Sequence, residues 1–82
     1  MKVQASVFPI AGATDRKQEL ELTLEMGNLE EALAQIEERL VVNLPKTETL
    51  LLLHNGQGLD LSKEAVFNDG DQLWILQQIS GG

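Results

Sequence analysis

The sequence predicts an α+β domain in which one amphipathic helix packs across one face of a mixed sheet of four or five strands. Three observations predict it. Two segments near the start alternate apolar and polar residues with a period of two, the mark of half-buried strands. The segment from Leu29 to Leu40 carries its apolar residues at helical spacing. The second half holds further apolar segments set off by Asn-Gly and Asp-Gly turns. With 82 residues, 1–82 form a single small domain. Such a domain buries about 60% of its unfolded surface, enough for one core layer and too little for a cleft between two lobes.

The elements follow in order. From Lys2 to Phe8, Val3, Ala5 and Val7 fall on one face and Lys2, Gln4 and Ser6 on the other, and Pro9 ends the strand. Ile10 to Gln18, with Gly12, Thr14 and Asp15, reads as a loop. Glu19 to Glu25 alternates again, with Leu20, Leu22 and Leu24 inward, so a hairpin is the natural reading. Gly27-Asn28 breaks that strand. Asn28 is a good N-cap, Glu31 stands three residues later in a variant of the capping box, and Glu30 and Glu31 suit the helix N-terminal dipole. Leu29, Ala32, Leu33, Ile36 and Leu40 make the helical stripe.

Pro45 forbids continuation, and Lys46 to Thr49 is a linker. Leu50 to Leu53 is a wholly apolar strand entering a His54-Asn55-Gly56 turn. Leu59 to Leu61 is expected as a brief strand, and Ser62 to Phe67 as a turn or short helical piece. Asn68-Asp69-Gly70-Asp71 is a strong turn, and Gln72 to Ile79 is the last strand. From residue 77 the chain is expected to loosen into a flexible tail, 77–82, ending in Gly-Gly. Aromatics are only Phe8, Phe67 and Trp74, so the core must be aliphatic.

Charge and composition exclude several functions. Six basic residues face 13 acidic ones, for a net charge of −7. The excess is local: Glu19, Glu21, Glu25, Glu30, Glu31, Glu37 and Glu38 lie in one stretch without a base. A phosphate backbone or an anionic membrane surface would be repelled, so neither nucleic acid nor membrane is expected as a partner. Most of these acids read as a solvated face, which would also steer a basic protein partner. No apolar run approaches the roughly 20 residues of a membrane-spanning helix. The start, Met1-Lys2, runs directly into the first strand without an apolar leader. Cysteine is absent, which excludes disulfides, thiolate metal sites and cysteine nucleophiles. A cytoplasmic location fits that composition.

The catalytic inventory is thin. His54 has no cysteine to activate and no serine the sequence pairs with it. One histidine with scattered acids is not a metal-ligand set, so no metal and no bound cofactor are expected. Asp69-Gly70-Asp71 lacks the pattern of a calcium loop, and Gly56-Gln57-Gly58 lacks that of a phosphate loop. A stand-alone catalyst is not expected. The distinctive feature is the end. After Asp71 no charged side chain follows, and Ser80-Gly81-Gly82 closes the chain with its α-carboxylate. Glycine without a Cβ can thread a narrow channel in any backbone conformation. A carboxylate is a poor acyl electrophile until a second protein activates it with ATP, so the domain would be the handle and Gly82 the reagent.

These residues resemble a family. The run from Val66 to Leu76 through Asn68-Asp69-Gly70-Asp71, followed by Ser80-Gly81-Gly82, is similar to the C-terminal signature of the ubiquitin-like sulfur carriers. That family holds the small subunit of molybdopterin synthase and the thiamine-pathway sulfur carrier (the MoaD/ThiS family). The Leu50 to Gly56 run and the helix from Leu29 fall where the family has a strand and its helix.

The resemblance implies a β-grasp, ubiquitin-like fold. It implies that Gly82 is adenylated by an E1-like enzyme with ATP and converted to a thiocarboxylate using a sulfur donor protein. The sulfur then passes to a substrate held by the large subunit of molybdopterin synthase, in molybdenum or tungsten cofactor biosynthesis, or by thiazole synthase in thiamine biosynthesis. Gly81, Ser80 and Ile79 carry over as the tail that enters the partner's site. With the first and last strands as neighbours, Phe8, Trp74 and Leu76 share the face away from the helix, and an uncovered apolar patch there would be a partner surface. The alternative is a ubiquitin-like protein modifier joined to other proteins through Gly82.

Overall fold

The computed structural model describes residues 1–78; Ile79, Ser80, Gly81 and Gly82 lie outside the described residues. The elements are β1 (Lys2–Val7), β2 (Gln18–Thr23), α1 (Leu29–Leu40), a 3₁₀ turn (Thr47–Thr49), β3 (Leu50–His54), β4 (Gln57–Gly58) and β5 (Gln72–Gln77). The strands form one mixed sheet in the order β2-β1-β5-β3-β4. β1 and β5 run parallel at its centre, and the other pairs are antiparallel. The helix lies in the chain between β2 and β3, and it packs on one face of the sheet, as the alternation predicts.

That face holds the core. Val3, Ala5 and Val7 of β1, Leu20 and Leu22 of β2, Leu50 and Leu52 of β3, and Leu73 and Ile75 of β5 are buried against Ala32 and Ile36 of α1. Three residues from connections join them: Ile10, Leu24 and Phe67. Ile10 and Phe67 sit in segments read as loop and turn, yet each is as buried as a strand residue. Ile10 pins a tight turn, its N–H donating to the Thr14 carbonyl at 2.9 Å. The Phe67 N–H donates to the Gly27 carbonyl at 2.8 Å, tying the last long connection to the helix entrance.

The helix begins and ends where its sequence says. Asn28 accepts the Glu31 N–H on its side-chain oxygen at 2.8 Å. Glu31 does more than close a capping box. Its carboxylate accepts three successive backbone N–H groups, those of Glu25, Met26 and Gly27, at 2.7, 2.9 and 2.9 Å. The first of these bonds is the largest cause holding its pKa below the usual carboxylate value, against a smaller opposing effect of burial. β2 stops at Thr23 rather than running to Glu25; the Leu24 N–H still donates to the Met1 carbonyl at 2.8 Å, and the next three N–H groups turn toward Glu31. Glu37 likewise accepts the Leu44 N–H at 2.8 Å, so the acidic stretch is not uniformly a solvated face.

Three expected boundaries move. Strand β1 ends at Val7, just before Phe8 and Pro9. The brief strand expected at Leu59 to Leu61 is instead Gln57–Gly58. Asn55 and Gly56 both have positive φ, 52° and 84°, the geometry of a two-residue hairpin turn, so pairing resumes at once with His54 opposite Gln57. Ser62 to Phe67 forms no helical piece.

The helix closes on Val41, which adopts a left-handed conformation at φ 55° with 87% of its surface exposed. A β-branched side chain is strained there, and glycine is the residue this position favours. Val41→Gly should therefore raise the unfolding free energy by about 1 kcal/mol. Asn28→Ala should lower it by about 1 kcal/mol through loss of the cap. Urea unfolding followed by far-UV circular dichroism would read both, the midpoint moving up for the first and down for the second.

Candidate functional site

The sheet face away from the helix is uncovered, and its residues are sorted by position. Toward β2 it is polar. Lys2 pairs with Glu21 at 3.7 Å, Lys17 with Glu19 at 3.2 Å, and the Gln4 amide donates to Glu21 at 3.1 Å. Toward β3 it is apolar. In register, Trp74 lies between Ser6 of β1 and Leu53 of β3, and Leu76 stands opposite Leu51. Phe8, one residue past β1, lies against Trp74 with ring centroids 5.5 Å apart and planes tilted by 55°. The Lys17 ammonium sits 5.1 Å from the centre of the Phe8 ring. Trp74 is 41% and Leu51 44% exposed, while Phe8, Leu53 and Leu76 are half-buried. The structure thus brings Phe8, Trp74 and Leu76 together as expected, and adds Leu51 and Leu53. No sequence signal singles them out in an unbroken leucine run; the register against β5 buries Leu50 and Leu52 and turns Leu51 and Leu53 outward.

β5 leaves the sheet at the end of the open face that carries Phe8, Leu76 and Leu51. Because β1 and β5 are parallel, the close of β5 lies beside the turn after Pro9. The Gln77 side-chain oxygen accepts the Ala11 N–H at 3.1 Å, and the Gln78 N–H donates to the Thr49 carbonyl at 3.1 Å. A depression of about 780 Å³, lined by Pro9 to Asp15, Arg39, Leu40 and Gln77, opens next to this point. Ile79, Ser80, Gly81 and Gly82, the tail residues singled out in the sequence, lie outside the described residues. Strand structure persists through Gln77, the residue from which the sequence predicts a flexible tail.

The titratable cluster lies at the other end of the sheet. His54 Nε2 stands 2.7 Å from the Asp71 carboxylate and its ring packs 4.5 Å from that of Phe67. A carboxylate only accepts, so Nε2 carries the proton and donates. Asp71 also accepts the Asn68 N–H at 2.8 Å and the Asn55 amide at 3.1 Å. The Asn68 bond, then those of His54 and Asn55, hold its pKa at about 2, below the ordinary 3.8. With every partner an anchor of the β3–β4 turn to the root of β5, His54 is structural here. Among the described residues no group of three or more His, Cys, Asp or Glu could hold a metal ion, and no helix is long and apolar enough to cross a membrane.

With this geometry in view, the fold has a class: a five-stranded mixed sheet grasping one helix, with first and last strands parallel at its centre, is the β-grasp, ubiquitin-like fold. Two solved structures share it over 100% of this chain and 100% of their own. One is a chain of the protein–protein complex of subunits 1 and 2 of the molybdopterin-converting factor from Helicobacter pylori 26695, with a TM-score of 0.67 and 18% identity. The other is SAMP1 from Haloferax volcanii, with a TM-score of 0.68 and 17% identity. No protein-family model matches the sequence, and no curated protein matches it. At these identities the likeness is one of fold.

The Asp71 carboxylate should make stability depend on acid. Its folded pKa lies below its unfolded value, so its contribution is fully present above pH 3.8 and is lost as pH falls through about 2. Urea unfolding between pH 2 and 5 should show stability falling with acid in that window, and Asp71→Asn should flatten the slope.

Proposed function

We propose that the chain is a sulfur carrier whose reactive group is the C-terminal carboxylate of Gly82. An E1-like enzyme would adenylate it: a carboxylate oxygen attacks the α-phosphorus of ATP and pyrophosphate leaves. Sulfide released by a donor protein then attacks the acyl carbon, the C–O bond to AMP breaks and AMP departs, and a thiocarboxylate remains for transfer in cofactor biosynthesis. The observation that carries this reading is the exit of β5. A β-grasp scaffold delivers a charge-free segment ending in Gly81-Gly82 from the apolar end of its open face.

The partner surface would comprise Phe8, Trp74 and Leu76, joined by Leu51 and Leu53, with Ile79, Ser80 and Gly81 entering the partner's site. The likeness to a chain of a two-subunit molybdopterin-converting factor supports molybdopterin as the first pathway and a larger subunit as the second partner. Thiamine thiazole formation is the alternative within the same chemistry, and a cytoplasmic setting suits both. The ubiquitin-like fold with a Gly-Gly end supports a second reading, a modifier joined to lysines through Gly82.

Incubation with the cognate activating enzyme, ATP and a sulfur donor should yield a product heavier by one oxygen-to-sulfur exchange, read by mass spectrometry of the intact chain. Deleting Gly82 should abolish the product without moving the urea midpoint. An intact chain that no cognate enzyme converts overturns the reading, and a ladder of conjugates on immunoblots of cell lysate establishes the modifier instead. Trp74→Ala should weaken the complex with the activating enzyme by about 2 kcal/mol or more, the size of a buried aromatic anchor, measurable by calorimetry.

A further inference from the structure

The end of β5 is held in an unusual way. In the parallel ladder the Phe8 N–H donates to the Ile75 carbonyl at 2.8 Å. Donors toward one neighbour alternate along a strand, so the next in that series belongs to Ile10. The Ile10 N–H is spent within its own turn, on the Thr14 carbonyl. The main-chain ladder between the first and last strands therefore stops one step short of Gln77, and the Gln77 side chain replaces it. Its Oε1 accepts the N–H of Ala11 at 3.1 Å. That N–H is a firm anchor. The turn carrying it is closed by further bonds from Ala13 and Thr14 to the Ile10 carbonyl, both at 3.0 Å, and buried Ile10 roots it in the core. On the opposite side, Gln77 is paired with Leu50, and Gln78 with the Thr49 carbonyl.

We propose that Gln77 is a positioning residue that fixes where and in which direction the chain leaves the sheet. The proposal rests on the reading of Gly82 as the reactive group and adds how that group is aimed. Four residues, 79–82, follow Gln78. Fully extended they span at most about 14 Å, so the activating partner's phosphate-bearing centre must come within that distance of Gln78. A reach this short makes the departure point matter. Without the Gln77 bond, the end of β5 is held from the β3 side alone and can swing about that edge, and fewer encounters present the carboxylate in line with the α-phosphorus. Docking on Phe8, Trp74 and Leu51 does not involve this bond, so the loss falls on turnover rather than on binding.

The test compares the full-length wild type with Gln77→Ala and Gln77→Glu. The glutamate keeps an oxygen that can accept the Ala11 N–H. In Gln77→Ala, exchange of the Ala11 amide should quicken, the NMR order parameters of residues 77 and 78 should fall, and kcat for adenylation should drop about fivefold with KM unchanged. Gln77→Glu should restore all three, and the urea midpoint should be the same throughout. Wild-type kcat in Gln77→Ala, a loss that Gln77→Glu does not restore, or a loss that tracks a lowered urea midpoint overturns the proposal. Failure of the reading beneath it is distinct, because then the wild-type chain itself is not adenylated.

Discussion

The parallel pairing of β1 with β5 at the centre of the sheet is the constraint from which the rest of the arrangement follows. Parallel neighbours cannot be joined by a tight turn, so the chain between them must travel, and the helix lies on that route. Parallel neighbours also place the N-terminus and the last residue of the sheet at opposite ends, about 20 Å apart for six-residue strands. The Met1 ammonium is held at one end by the Leu24 carbonyl at 2.9 Å. The other end collects the turn after Pro9, the 3₁₀ turn before β3 and the close of β5. Both sides of the departing chain are thereby flanked by anchored segments.

The two ends of the sheet consequently have different chemistry. At the N-terminal end, polar side chains face one another and satisfy one another: Asp71 gathers His54, Asn55 and Asn68, and Asp69 accepts the Lys2 N–H at 2.7 Å. An aspartate that takes part in so many bonds is committed to holding β3, β4 and β5 in register and is a poor proton donor at neutral pH. At the exit end, the open face carries Phe8, Leu76 and Leu51, with the Lys17–Glu19 ion pair at their margin. Of the segments on which the resemblance rests, Asn68 to Asp71 is a clasp at one end of β5.

The sequence was most legible where a pattern is local. The helix is found over Leu29–Leu40 because its cap, its first-turn acids and its apolar spacing all lie within a dozen residues. β1 and β2 follow from strict alternation. Most of the differences come from information held by distant residues. The outward turn of Leu51 and Leu53 is invisible in an unbroken leucine run and is decided by register against β5. The burial of Ile10 and Phe67 depends on which connection closes over the core. The strand after Asn55-Gly56 starts two residues before the apolar Leu59 to Leu61, because the turn geometry and not apolarity sets where pairing begins. Gln77, read as the close of the last strand and the start of a tail, has its side chain bonded to an N–H 66 positions earlier.

A two-layer domain of this size must leave one sheet face to water, and an antiparallel or mixed sheet normally makes that face polar. Here the polar solution is adopted over half of the face, with ion pairs on β1 and β2, and abandoned over the other half. The division is not explained by a shortage of polar residues, since β2 presents Glu19, Glu21 and Thr23 outward. It coincides with the point where the chain departs. An apolar patch far from the tail could bind a partner as tightly, but would require a long tether, and the effective concentration of a tethered group falls steeply once its length exceeds the span it must cover. Trp74, Leu76 and Leu51 lie within three residues, along or across the sheet, of Gln77, where β5 ends, so under the proposed function a surface docked there would stay within reach of the four residues that follow Gln78.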